Sequence, residues 1–134
     1  MIKNRNNISI RVYDVTYFVD KFCMKKLKTG HRLSLATYYR LFIPELMNKY
    51  DKVIYLDGDT IIIEDLKILY SFDLKDMYAG AVIDYNIIKD MSRSFKNHVH
   101  SVLEMNDVSR YFNAGVLLLN LDLIRKNFTT EYFI

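Results

Sequence analysis

Asp57 and Asp59 are the residues with the clearest chemical potential; Gly58 separates them and the apolar run Val53-Ile54-Tyr55-Leu56 precedes them. In an extended chain, residues i and i+2 face the same way, about 7 Å apart at Cα. Two carboxylates so placed converge on one hard divalent cation, Mg²⁺ or Mn²⁺, which takes oxygen ligands. Gly58 lets a ligand come close to the backbone, and the carboxyl ends of strands are where open α/β sheets bind ligands. The same residues also suit a tight turn, because Asp-Gly between two strand-like runs is a hairpin signal. The flanking runs are continuously apolar rather than alternating, which weighs against a hairpin. An EF-hand loop fails, since Ile61 and Ile62 stand where oxygen ligands or glycine are needed. A phosphoaspartyl phosphotransferase would use Asp57 as nucleophile and Asp59 as acid, but usually has Thr or Val where Ile61 stands. A glycosidase carboxylate pair is defined by separation in space, not by spacing along the chain. His98 and His100 would point to different sides of a helix, so they make a poor metal pair, and Cys23 fits a small core residue.

These residues need elements to hold them. Ile8 to Tyr13 alternates apolar and polar and predicts a strand. Residues 17–28 suggest a short helix. From Ser34, a plausible N-cap, helical spacing runs through Leu35, Tyr38, Tyr39, Phe42, Ile43, Leu46 and Met47, with Pro44 dividing or kinking it. Val53–Leu56, Tyr78–Ile83 and Val116–Leu121 form apolar runs expected as strands covered on both faces. Ile61-Ile62-Ile63 adds a further β-branched run. Helices are expected over residues 65–72, over most of 87–105, and from Asp122 onward. Strands alternating with helices imply α/β layers in a single domain.

Half of the 134 residues are apolar, which suffices for a core and excludes a disordered chain. Apolar runs fall far short of the ~18 residues a membrane-spanning helix needs. No secretory signal is visible after the charged start, so a cytoplasmic protein is expected. A single cysteine excludes an internal disulfide framework. Residues 1–40 hold nine Lys/Arg against Asp14 and Asp20, whereas the remainder holds ten against fourteen acidic residues. That asymmetry suits a phosphorylated ligand or peripheral contact with an anionic membrane face, or is simply a solvated surface. Nucleic-acid binding is disfavoured, since the basic residues form no dense run and the aromatics sit at core-like spacings.

Three ordered segments carry a stronger signal. Ser34-Leu35-Ala36-Thr37-Tyr38-Tyr39-Arg40-Leu41-Phe42-Ile43-Pro44-Glu45-Leu46, then Tyr50 to Thr60 with its Asp57-Gly58-Asp59, then Tyr111-Phe112-Asn113-Ala114-Gly115-Val116-Leu117-Leu118-Leu119-Asn120-Leu121, closely resemble family 8 glycosyltransferases. That group includes bacterial lipopolysaccharide galactosyl- and glucosyltransferases and glycogenin. The resemblance runs from about Ser34 to Arg125. It implies an α/β fold of the GT-A type, a Rossmann-like mixed sheet flanked by helices. It also implies a retaining hexosyl transfer, dependent on Mn²⁺ or Mg²⁺, from UDP-glucose or UDP-galactose to a saccharide or glycolipid acceptor in lipopolysaccharide or surface polysaccharide synthesis. By position, Asp57 and Asp59 would hold the metal. Gly58 would bring its backbone near the ribose, and Arg40 would reach the donor sugar and diphosphate. Asp84 would hydrogen-bond the donor sugar, and Asn113 and Ala114 would contact the donor. Relatives also carry an N-terminal strand that holds uridine, a Gln/Asp-rich segment beside the anomeric carbon, and a histidine that completes the metal shell. The resemblance finds none of these in the chain. It therefore implies the central part of a transferase domain, with the catalytic residue outside residues 1–134 and no turnover expected from these residues alone. The alternatives are a non-catalytic remnant and, less favoured, the phosphotransferase using Asp57.

Overall fold

A computed structural model describes residues 9–22, 35–89 and 92–133. They divide into two compact units, one made of the described residues up to Asn48 together with those from Phe128 onward, the other spanning Lys49–Asn127.

The first unit is helical. Helix α1 covers Thr16–Lys21, a 3-10 helix covers Leu35–Phe42, and α2 follows at Ile43–Leu46. Pro44 falls in the first turn of α2, where a missing N–H leaves no helical bond unmade, so it divides the segment as the sequence implies. Fully buried Phe42 centres the core, with Phe18 stacked at 5.0 Å and Phe22 at 5.9 Å between ring centroids and Val19 beside them. A second 3-10 helix, Thr130–Phe133, is tied in by the Thr130 hydroxyl donating to the Glu45 carboxylate. The expected strand at Ile8–Tyr13 is not formed over residues 9–13; Ile8 lies outside the described residues. Ile10 and Val12 are 81% and 94% exposed, and an alternating run stays a strand only with a partner to pair and pack against. The Ser34 cap, Cys23 and most of the 17–28 helix also lie outside the described residues.

The second unit is a three-stranded sheet with helices. Strands β1 (Lys52–Leu56) and β2 (Ala79–Ile83) flank β3 (Phe112–Asn120). Both pairings are antiparallel, so β1 and β2 run the same way and bring their carboxyl ends to one end of the sheet. Leu117, Leu118 and Leu119 on β3 are buried, and Leu121 and Ile124 of helix α6 (Leu121–Asn127) are buried with them. The expectation of two covered faces fails for β2, an edge strand that leaves Val82 57% exposed. Helix α3 (Leu66–Tyr70) starts at Asp65, whose carboxylate accepts from Lys67 N. The predicted 87–105 helix is two, α4 (Tyr85–Lys89) and α5 (Arg93–Ser101), the latter capped by Ser92. The helix expected from Asp122 onward ends at Asn127. Ile61–Ile63 forms no strand, because the chain turns before it and no described strand pairs with it.

Candidate functional site

Leu56 pairs with Val116, and Asp57 continues the ladder by donating its N–H to Gly115 O at 2.8 Å. The ladder then stops: Thr60 N returns to Asp57 O at 3.1 Å, closing a four-residue turn over Asp57-Gly58-Asp59-Thr60. The extended i, i+2 geometry expected of the two aspartates is therefore replaced by a turn. The turn still keeps them near each other, since a β-turn holds even residues i and i+3 within about 7 Å at Cα. Asp59 and Gly58 are exposed. Gly58 has no left-handed φ, and a Cβ built on it meets nothing within 4 Å, so neither turn geometry nor packing demands glycine there.

Asp57 is held closely. The Tyr55 hydroxyl donates to its Oδ1, and its Oδ2 lies 2.9 Å from where a Cβ on Gly115 would stand. The same point is 3.0 Å from Asn113 Oδ1, which also accepts from Gly115 N at 2.7 Å. Asp57 and Asn113 thus meet over Gly115, their oxygens no more than about 6 Å apart. A pronounced bulge accompanies this: Ala81 pairs with Leu117 but Val82 with Asn113, so residues 114–116 of β3 are unmatched by β2. Bulges of this kind re-aim side chains beside functional sites.

Asp84 follows β2 as Asp57 follows β1. Its N–H donates to Tyr111 O at 2.9 Å, while its Oδ1 accepts from Ile87 N at 3.1 Å and caps α4. Its Oδ2 makes no hydrogen bond among the described residues. Asp84, Asn113, Val82, Tyr85 and Val116 are among the residues lining a cavity of about 380 Å³. The Asp57 N–H meets Gly115 O and the Asp84 N–H meets Tyr111 O, so the backbones of the two aspartates join this segment four residues apart. Asn113 lies between them. Ala114 is exposed beside it. On the other side of the turn, Leu56, Thr60, Ile61, Ile63 and Phe72 help to line an apolar cleft of about 360 Å³.

The donor set fits a hard divalent ion. Asp57 and Asp59 offer carboxylate oxygens, and Gly115 leaves the space that the Asp57 carboxylate occupies. No group of three or more His, Cys, Asp or Glu gathers among the described residues, so the remaining positions would fall to ligand oxygens and water. His98 and His100 are exposed on α5, His98 beside the Phe95 ring. Arg40 belongs to the first unit, where its Nε donates to Thr37 O at 2.9 Å. Sequence reasoning passed over two residues of the site. Tyr55 sits two places before Asp57 and so on the same strand face; Gly115 is the position where a Cβ would stand against the oxygens of Asp57 and Asn113.

The profile described as "Glycosyl transferase family 8" matches residues 2–134. The similarity thus reaches well ahead of Ser34, where the sequence motifs alone place its start. The chain is 30% identical over 110 residues to a lipopolysaccharide 1,3-galactosyltransferase of Salmonella typhimurium, covering 81% of this chain and 32% of that protein. Among solved structures it is similar to the bifunctional glycosyltransferase WbbM in its apo form (TM-score 0.72, 30% identity, 91% of this chain and 22% of that one). It is also similar to the galactosyltransferase LgtC in complex with donor and acceptor sugar analogues (TM-score 0.66, 32% identity, 81% and 37%). The chain spans a third or less of the length of the curated relatives it matches.

Proposed function

The chain belongs to glycosyl transferase family 8 and has its GT-A fold, and from that premise we propose that residues 1–134 form the donor-binding part of a hexosyltransferase. The proposed donor is UDP-glucose or UDP-galactose, bound with Mn²⁺ or Mg²⁺. The acceptor is a saccharide or glycolipid of lipopolysaccharide or surface polysaccharide, met at the cytoplasmic face of a membrane. No helix among the described residues is long and apolar enough to cross that membrane. The reading rests above all on the meeting of the Asp57 carboxylate and the Asn113 side chain over Gly115, at the end of the sheet and beside the cavity that Asp84 lines.

In this reading Asp57 and Asp59 hold the ion. Two carboxylates and a diphosphate would bring about four negative charges together, and a dication removes half of that repulsion. When bound, the ion would also stabilise the diphosphate as it departs. Gly58, exposed and with open space over its α-carbon, lets the ribose approach the backbone. Asp84 Oδ2 would accept from a sugar hydroxyl while Oδ1 stays on the helix. Asn113 spends its carbonyl on Gly115 N and would donate from Nδ2 to the donor, with Ala114 in contact beside it. Arg40, assigned from its place in the family motif alone, would give the diphosphate a charge-assisted hydrogen bond. The residue acting at the anomeric carbon is proposed to lie elsewhere in the enzyme.

Calorimetric titration with UDP-glucose and UDP-galactose, in Mn²⁺ and again in EDTA, tests the reading. Binding should require the metal, and Asp59→Asn should abolish the metal-dependent part. Equal binding with and without Mn²⁺, unaffected by Asp59→Asn, would return the turn to a purely structural role.

A further inference from the structure

We infer that Tyr55 is a positioning residue for the cation site, its hydroxyl fixing the Asp57 carboxylate in the orientation that an ion needs. The inference rests on the assignment of Asp57 as an ion ligand. Tyr55 pairs with Leu117 in the β1–β3 ladder, so its backbone is fixed by the sheet rather than by the turn. Two residues on, Asp57 presents its side chain on the same face, and the phenol reaches it directly. The carboxylate is then held through Oδ1, with Oδ2 in the space that a side chain at 115 would fill.

An ionised carboxylate has about four lone-pair sites, of which the Tyr55 hydroxyl takes one. The hydroxyl also removes rotational freedom that ion binding would otherwise have to quench. Asp59 is exposed in the turn, whereas Asp57 is half-buried and accepts the Tyr55 hydroxyl. Groups that hydrogen-bond a metal-ligating side chain typically change metal affinity by about 10- to 100-fold when removed. A phenol placed only to satisfy its own polarity would leave metal affinity unchanged on removal.

The experiment is Mn²⁺ titration followed by electron paramagnetic resonance of the free ion, without donor, on the chain as given. Far-UV circular dichroism reports the fold of each variant. Wild type should bind Mn²⁺, Asp57→Asn should lose that binding, and Tyr55→Phe should weaken it by about 10- to 100-fold with an unchanged spectrum. Wild-type affinity in Tyr55→Phe, with binding lost in Asp57→Asn, would overturn the role of Tyr55 and leave the cation site standing. An unfolded Tyr55→Phe would assign the hydroxyl to holding the strand and overturn it equally. No Mn²⁺ binding by the wild type would overturn the cation site and this inference with it.

Discussion

Strands β1 and β2 flank β3, run the same way and each lead into an aspartate, yet the two aspartates are used differently. Asp57 is followed by a glycine and a second aspartate. The chain turns back on itself, and the carboxylate accepts from the Tyr55 hydroxyl beside the bare α-carbon of Gly115. Asp84 is followed directly by α4, and one of its oxygens is committed to the Ile87 N–H. An apolar strand ending in aspartate is therefore not enough to mark an ion site. In the proposed reading, the residues after the aspartate decide whether its carboxylate caps a helix, as at Asp84, or stands in a turn, as at Asp57.

Gly115→Ala should have the largest effect and tests the Asp57 side of this contrast. Its methyl would stand 2.9 Å from Asp57 Oδ2 and 3.0 Å from Asn113 Oδ1, so both must move. Stability should fall by about 1–3 kcal/mol in urea unfolding, with metal-dependent donor binding lost. Gly58→Ala is its counterpart on the turn, where a methyl meets nothing within 4 Å. Its stability should stay within about 0.5 kcal/mol of wild type while donor affinity drops, and unchanged affinity would remove Gly58 from the site.

Asp84 should separate its two uses by substitution. Asp84→Ala loses the helix cap, about 1 kcal/mol, whereas Asp84→Asn keeps an oxygen for Ile87 N and should unfold within a few tenths of a kcal/mol of wild type. If Oδ2 accepts from the donor sugar, both variants should bind UDP-hexose about tenfold more weakly. Full affinity in Asp84→Asn would leave Asp84 with its helix alone.

The smallest effect comes from an exposed aspartate whose Oδ1 accepts from both the hydroxyl and the N–H of Ser109. The Asp107 carboxyl is held below its ordinary range by the Ser109 hydroxyl and then by the Ser109 N–H. A depressed folded-state pKa contributes stability that is fully present above the unfolded value, near 3.9, and is lost as pH falls through the folded one. The melting temperature of wild type should therefore exceed that of Asp107→Asn slightly at pH 6, and the difference should fade in acid below pH 4. A gap that persists in acid would show that charge is not its source.

Much of this contrast was legible in the sequence. The runs around Val53, Ala81 and Leu118 named all three strands, and the aspartates after the first two were correctly placed at strand ends. What escaped depends on contacts distant in sequence. Ile61–Ile63 and Ile10–Val12 have strand-like composition but no described strand to pair with. The exposure of β2, where the other edge strand β1 is half-buried throughout, depends on what packs over each strand, which no local pattern encodes. At Asp57 and Asp59 the local pattern offered both an extended pair and an Asp-Gly turn; the continuously apolar flanks weighed against a hairpin, and the bond from Thr60 N to Asp57 O closes a turn. Gly115 read as one letter of a motif; only the approach of Asp57 from another strand shows why a side chain is excluded there.

In the proposed function the Asp57–Thr60 turn, and not the end of β2, would hold the cation. The most direct measurement is anomalous diffraction at the manganese edge from crystals of the protein grown with Mn²⁺ and UDP. A peak is expected about 2 Å from carboxylate oxygens of both Asp57 and Asp59, with diphosphate oxygens completing its shell. A peak on Asp84 instead, or UDP bound in the cleft with no peak at the turn, would contradict it.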